Sequence, residues 1–271
     1  MKEERTMNAT LYKREMKNSI KLLLILAAVM AIYISIIIYM YEPEMMALLD
    51  DYAKAMPEIM AAMGMNAGAT DLLGFMISYL YGFILLVFPM VFCILRSNSL
   101  LAKYASNGAM SYLLAAPVHR RSIVFTQIGA LVSGIALLLL FATGLEIGVA
   151  NHYFPGKLDL IGLLAINSGL LCLHLFIGSI CLFFSSLFSD TRYSLAFGAG
   201  IPTLMYVLQM LADAGDKAAD LRYATFFTLY NPNGLASGDL SAFGHSLILL
   251  FGALLLYTFT SLVFCNKNFS I

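Results

Sequence analysis

Side chains able to do chemistry are few in this chain, and most sit in apolar surroundings. His174 lies in the middle of a long apolar run, where its imidazole is the one group suited to carrying a proton. Bonding to a neighbouring helix as a neutral ring is the plainer role for it. Gln127, Asn167 and Gln209 lie in similar runs, and Glu146 and His245 stand at the ends of two others. Cys93, Cys172, Cys181 and Cys265 fall within apolar runs at neither metal-ligand nor disulfide spacing, so they read as small packing side chains. Met45, Met46, Met56, Met60 and Met63 cluster between two runs. Thioethers are soft copper(I) ligands, but no His or Cys joins them, and packing along an apolar helix face explains them better; no metal site is expected. Gly-x-Ser-x-Gly, His-Glu-x-x-His and the phosphate loop Gly-x-x-x-x-Gly-Lys-[Ser/Thr] are all absent. The chain is therefore not an enzyme of those kinds, has no catalytic residue to assign, and is not an ATPase by itself.

The elements that hold these residues are plain in the sequence. Segments 22–40, 72–95, 123–145, 160–188, 193–212 and 245–265 each have at least 19 residues and no Asp, Glu, Lys or Arg. At ~1.5 Å rise per residue, about 20 residues cross ~30 Å of hydrocarbon. Backbone groups in lipid must pair internally, so the segments are helices. The fold class is an all-α membrane protein with six transmembrane helices. With 271 residues, 61% of them hydrophobic, the chain is read as one membrane domain over 1–271. The first apolar run is too long, and too far from the start, for a cleavable signal peptide.

Charge orients the bundle. Segments 1–21, 96–122, 189–192 and 266–271 hold 12 of the 16 Lys and Arg residues and only 4 of the 16 acids. The alternate loops, 41–71, 146–159 and 213–244, hold the other 4 basic residues and 12 acids. Lys and Arg in short loops mark the cytoplasmic side, which places both termini in the cytoplasm of an inner or plasma membrane. The zero net charge hides this asymmetry, and no nucleic-acid partner is expected.

Residues Thr6–Lys21 alternate Met7, Leu11 and Ile20 with Lys13, Arg14, Lys17 and Lys21, as a basic amphipathic helix in the inner headgroup region does. The loop 41–71 has an apolar stripe at helical spacing (Met45, Met46, Leu48, Leu49, Tyr52), resumed after Pro57 by Ile59, Met60 and Met63. In the loop 213–244, Tyr230-Asn231-Pro232-Asn233-Gly234 is a turn cluster. Pro89 and Pro202 are placed to kink their spans, and Ala196 and Gly200 give the fifth span a small-xxx-small face suited to close packing or dimerisation. The two halves of the chain do not match, which counts against carriers built from inverted repeats.

The segment 96–122 has four basic residues, one histidine and no acid. Gly108 breaks the preceding helix, Asn107 or Ser111 caps a new one, and Pro117 ends it. A short cytoplasmic helix presenting Tyr112, Leu113 and Leu114 is expected, and apolar side chains in such a loop suit docking to another protein.

In these residues the chain resembles the permease subunits of type-2 ABC transporters. Gly108, Leu113-Leu114-Ala115, Pro117-Val118, Arg120 and Ile123 match that family's inner-loop pattern in order, though Ala109 and Met110 stand where the family often has Glu or Thr. The six-span plan, the basic N-terminal helix, the link Ser189-Asp190-Thr191-Arg192 and the tail from Phe264 to Phe269 resemble the family as well. The resemblance implies two permease chains, identical or paralogous, with two copies of a separate ABC ATPase subunit that binds the ATP and Mg. Residues Ser111, Tyr112, Leu113, Leu114, Ala115, Pro117, Val118 and Arg120 would form the coupling helix seated in the ATPase. Spans of apolar and aromatic surface then fit export of a hydrophobic or amphipathic substrate: a peptide, an antimicrobial or a lipid-like molecule. Two alternatives stay open at this point. One is a proton-coupled secondary carrier using His174; the other is a non-transporting immunity-type membrane partner.

Overall fold

In the computed structural model the described residues, 7–65 and 71–268, contain helices and no strand. Thr6 and Phe269, the ends of the N-terminal segment and of the tail motif, lie outside them. The chain starts with α1 (Ala9–Tyr39), followed by two short helices, α2 (Pro43–Ala55) and α3 (Pro57–Ala62). A second crossing is made by α4 (Leu72–Leu80) and α5 (Ile84–Leu100), and leads into two short helices, α6 (Ala102–Ser106) and α7 (Ala109–Ala115). Crossings three to five are α8 (Arg120–Tyr153), α9 (Leu160–Leu187) and α10 (Thr191–Ala214). Two 3-10 segments, Asp216–Ala224 and Phe226–Leu229, lead to the short α11 (Pro232–Ala236), and α12 (Leu240–Asn266) is the last crossing. Six helices are thus long and apolar enough to span a bilayer. The start of α1 and the end of α12 share one end of the bundle with α6 and α7, the terminal end. The other, where α2, α3, the 3-10 segments and α11 gather, is the distal end.

Helix α9 is the hub. It packs against α5, α8, α10, α11 and α12, and most of its side chains are buried. In contrast, α1 buries a single stripe, in which Leu26, Met30, Ile34 and Ile38 recur every four residues and meet α8 and α5. Its other faces are free to meet lipid. The expected basic N-terminal helix is present, and it runs without interruption into the first span as one helix. Its start is pinned to α8: the Asn8 N–H donates to Thr126 Oγ1 (2.9 Å) and the Tyr12 hydroxyl to Ser133 Oγ (2.8 Å).

Two departures from the apolar pattern reposition polar groups. Helix α8 continues eight residues past the third apolar run, because nothing breaks it before Pro155, and this brings Glu146 inside the helix. The spans therefore do carry a carboxylate. The second span, continuous in the sequence, opens at Tyr81–Phe83. There the backbone of Met63–Gly64 presses against Gly82: a Cβ on Gly82 would lie 2.5 Å from the Met63 carbonyl oxygen and 2.8 Å from Gly64 Cα. The Tyr206 hydroxyl donates to the Gly82 carbonyl at 3.0 Å. Pro89 and Pro202 lie inside α5 and α10 without ending either helix.

The loops are closed by the capping residues the sequence offers. Asp159, Asp190, Asn231 and Asp239 accept from the first-turn N–H groups of α9, α10, α11 and α12. Distal aromatic pairs, Tyr39 with Tyr153 and Tyr41 with Phe154, both 5.3 Å between ring centres, suit a headgroup boundary.

Gly82→Ala is expected to cost about 1–3 kcal/mol, because the added methyl meets backbone atoms that cannot turn aside. Gly144→Ala, where a Cβ has nothing within 4 Å inside α8, is the control and should not lower the melting temperature of the purified protein.

Candidate functional site

At the terminal end, Gly108 takes a left-handed conformation (φ 74°), a cheap one only for a residue without Cβ, and the chain reverses between α6 and α7. The Asn107 side chain accepts from the Ala109 N–H (3.1 Å), and the Ser111 hydroxyl donates back to the Gly108 carbonyl (2.6 Å). Pro117 then stops the helix, and Val118 and His119 lead into α8. The short helix expected from the sequence is there, but its faces are distributed differently. Met110 is buried and anchors it, Tyr112 is 84% exposed, and Leu113 and Leu114 are half-buried against the core rather than presented. Ala115 and Pro117 are exposed, and Ser111 and Val118 are half-buried. Arg120, the last residue of the expected coupling set, turns toward the end of α12: its Nη1 donates to the carbonyls of Cys265 (3.3 Å) and Lys267 (2.9 Å).

A buried ion pair stands behind α6 and α7. Arg96 of α5 and Glu15 of α1 are 5% and 1% exposed, with Nη2 and Oε2 2.6 Å apart. Arg96 Nη2 also donates to the Glu15 carbonyl (2.7 Å), Nη1 to Ser99 Oγ (2.9 Å), and the Tyr104 hydroxyl of α6 to Glu15 Oε1 (2.5 Å). A buried carboxylate needs such a full set of donors. The sequence held a signal for it: Glu15 is the one acid in the basic stretch 13–21, and Arg96 is the first charge after the second apolar run. The pair joins α1, α5 and α6 directly beside α7.

Lys267 closes the terminal end. Its Nζ donates to the carbonyls of Ser186 (2.9 Å) and Leu187 (3.0 Å), the last of α9, where the helix dipole favours a cation. Burial lowers the pKa of its ammonium group.

A second polar cluster lies in the distal half. Glu146 of α8 is fully buried, and its Oε2 accepts from the Tyr81 hydroxyl (3.1 Å) and from Asn167 Nδ2 of α9 (2.9 Å). Asn167 Nδ2 also donates to the Tyr81 hydroxyl (2.9 Å). Tyr230 sits beside them; its burial first, and then the Glu146 charge, push its phenol well above the ordinary range. Tyr81 and Tyr230 also face a distal cavity of about 440 Å³, whose wall includes Tyr206, Phe227 and Asp213. Asp213 is paired there with Arg222 at 3.2 Å. Nothing in the sequence joins Tyr81, Glu146, Asn167 and Tyr230, since they come from four separate elements.

The remaining candidates are structural or outward-facing. Both ring nitrogens of His174 face backbone carbonyls, Leu170 at 2.9 Å and Leu86 at 3.1 Å, so it joins α9 to α5. The four cysteines are free thiols. Ala196 and Gly200 are exposed on α10, and a Cβ on Gly200 would meet nothing within 4 Å, so the chain itself leaves that face open. Among the described residues no group of three or more His, Cys, Asp or Glu could hold a metal ion.

The family described as "ABC-2 family transporter protein" matches residues 9–266, nearly the whole length. No curated protein and no solved structure matches the chain.

Removing one partner of the buried ion pair should be costly. Arg96→Met is expected to destabilise the protein by about 3–5 kcal/mol by stranding Glu15, whereas Arg96→Met with Glu15→Gln should recover most of the loss. Thermal unfolding of the three proteins in one detergent measures both.

Proposed function

The chain belongs to the ABC-2 transporter family, and from that premise we propose that it is the transmembrane half of an ATP-driven exporter whose coupling element is α7. As a family member it is a multi-pass membrane permease, the transport component of an ABC transporter that works with an ATPase partner. The proposal adds the contact, the stoichiometry and the direction. Two permease chains pair with two ATPase subunits, with α7 seated in a groove of the ATPase. The basic termini lie in the cytoplasm, and a hydrophobic or amphipathic substrate, of the peptide, antimicrobial or lipid-like kind, moves outward. The second permease chain is identical or a paralogue, and the open Ala196/Gly200 face of α10 is offered as its packing surface.

The observation that carries the reading is the exposure of Tyr112, 84%, on a helix bounded by Gly108 and Pro117 and packed against α6, which the Tyr104–Glu15 bond ties to the buried ion pair. A large aromatic held outward is an anchor for a protein pocket. Along the chain α8 follows α7 and α5 precedes it through the short α6; both cross the membrane, so a push on α7 reaches two spans. The missing phosphate loop fits this division of labour.

Co-purification with an ABC ATPase subunit from the same genome tests the reading. The wild-type chain should retain the ATPase in nanodiscs, and Tyr112→Asp should weaken the association about thirtyfold, as loss of a buried aromatic worth about 2 kcal/mol implies. Because Leu113 and Leu114 are left in place, the variant should reach the membrane at normal levels. Arg121→Ala, which removes a charge but little apolar area, should retain the ATPase. Failure of the wild type to hold any such ATPase would overturn the proposal.

A further inference from the structure

Hydrogen bonding in the distal cluster is used on one side only. Glu146 Oε2 takes both nearby donors, the Tyr81 hydroxyl and Asn167 Nδ2, and Glu146 Oε1 has no hydrogen-bond partner among the described residues. Asn167 spends its Nδ2 on Tyr81 and Glu146 and leaves Oδ1 without a partner, and the Tyr230 hydroxyl oxygen has none either. All three residues are more than nine-tenths buried. Three oxygens able to accept therefore remain around one carboxylate, and among the described residues no Lys or Arg is bonded to that carboxylate. Buried acceptors and an uncompensated carboxylate are both costly.

The walls select what could satisfy them. Tyr81 and Tyr230 belong both to the cluster and to the 440 Å³ distal cavity, which is within the range of small-molecule sites. Tyr206 and Phe227 line the same cavity, 5.4 Å apart edge to face, together with Gln209 and the Asp213–Arg222 pair, whose charges offset one another; Glu146 and Asn167 lie behind the wall that Tyr81 and Tyr230 form. Aromatic faces attract an organic cation, and a primary ammonium brings three N–H donors and one positive charge. A bare metal ion would want more anionic ligands than the single Glu146 supplies.

We propose that this cluster is a recognition site for a primary ammonium group, with Glu146 as counter-ion, Asn167 Oδ1 and the Tyr230 hydroxyl as further acceptors, and the Tyr206–Phe227 side of the cavity holding the apolar remainder of the molecule. The site makes the exporter's substrate an amphipathic amine, and in that respect it rests on the permease reading. Glu146, Asn167 and Tyr230 bind and orient; no covalent step is involved.

Binding to the full-length chain in nanodiscs tests this without an ATPase or transport, so its failure would leave the permease reading standing. The probes are 2-phenylethylamine and 2-phenylethanol, titrated calorimetrically at neutral pH against empty nanodiscs to subtract lipid partitioning. The wild type should favour the amine by about tenfold or more, since a charge-assisted bond in a dry site separates the two. Glu146→Gln keeps the shape and removes the charge, and should abolish that preference. Tyr230→Phe removes one acceptor and should weaken amine binding several-fold while leaving alcohol binding unchanged. Equal affinity of the wild type for the two probes, or an undiminished amine preference in Glu146→Gln, would overturn the proposal. Should Glu146→Gln not fold, an unchanged amine preference in Tyr230→Phe overturns it instead.

Discussion

A helix that opens inside a membrane must find partners for its freed backbone groups within the protein, because no water is there to supply them. The opening of the second span at Tyr81–Phe83 is where this requirement organises the distal half. Met63–Gly64 closes over Gly82, the Tyr206 hydroxyl bonds the Gly82 carbonyl, and the turn directs Tyr81 toward Glu146 and Asn167. Four elements, α3, α8, α9 and α10, are thereby committed to a single break. A continuous helix would leave Tyr206 and Tyr81 differently aimed and the distal cavity without two of its walls.

The terminal end meets the same requirement with charge. The last carbonyls of α9 and α12 have no helical partners, and they are met by Lys267 and Arg120 respectively. Glu15 and Arg96 neutralise one another where neither reaches water. These contacts join α1, α5, α6, α8, α9 and α12 at the terminal end and leave α7 outside the polar network. Gly108 and Pro117 bound it.

How much of this the sequence carried depended on range. Apolar runs marked all six crossings, because burial in lipid needs only composition and length. Gly108, Asn107 and Pro117 marked α7, because capping and breaking act within a few residues. The break at Gly82 was not legible: its cause, the backbone of Met63–Gly64, lies across a loop, and Gly-Phe in an apolar run looks like any other part of a span. Glu146 read as the end of a span because its partners are 65 and 21 residues away. Leu113 and Leu114 read as presented because the core that half-covers them comes from elements packed in three dimensions. The Glu15–Arg96 pair stood in the sequence as two odd charges, and only the fold supplied their proximity.

The way α1 is held has a consequence for how the molecule is made. Its polar contacts lie far along the chain: Arg96 follows Glu15 by 81 residues, and Thr126 follows Asn8 by 118. At a synthesis rate of about 5–20 residues per second, Arg96 emerges roughly 4–16 s after Glu15. Through that interval Glu15 has no Arg96 to pair with, and Lys13, Arg14 and Lys17 are the charges nearest to it in the sequence. The ion pair can close only after α5 has been made, so the final seating of the first helix waits on the synthesis of the second crossing.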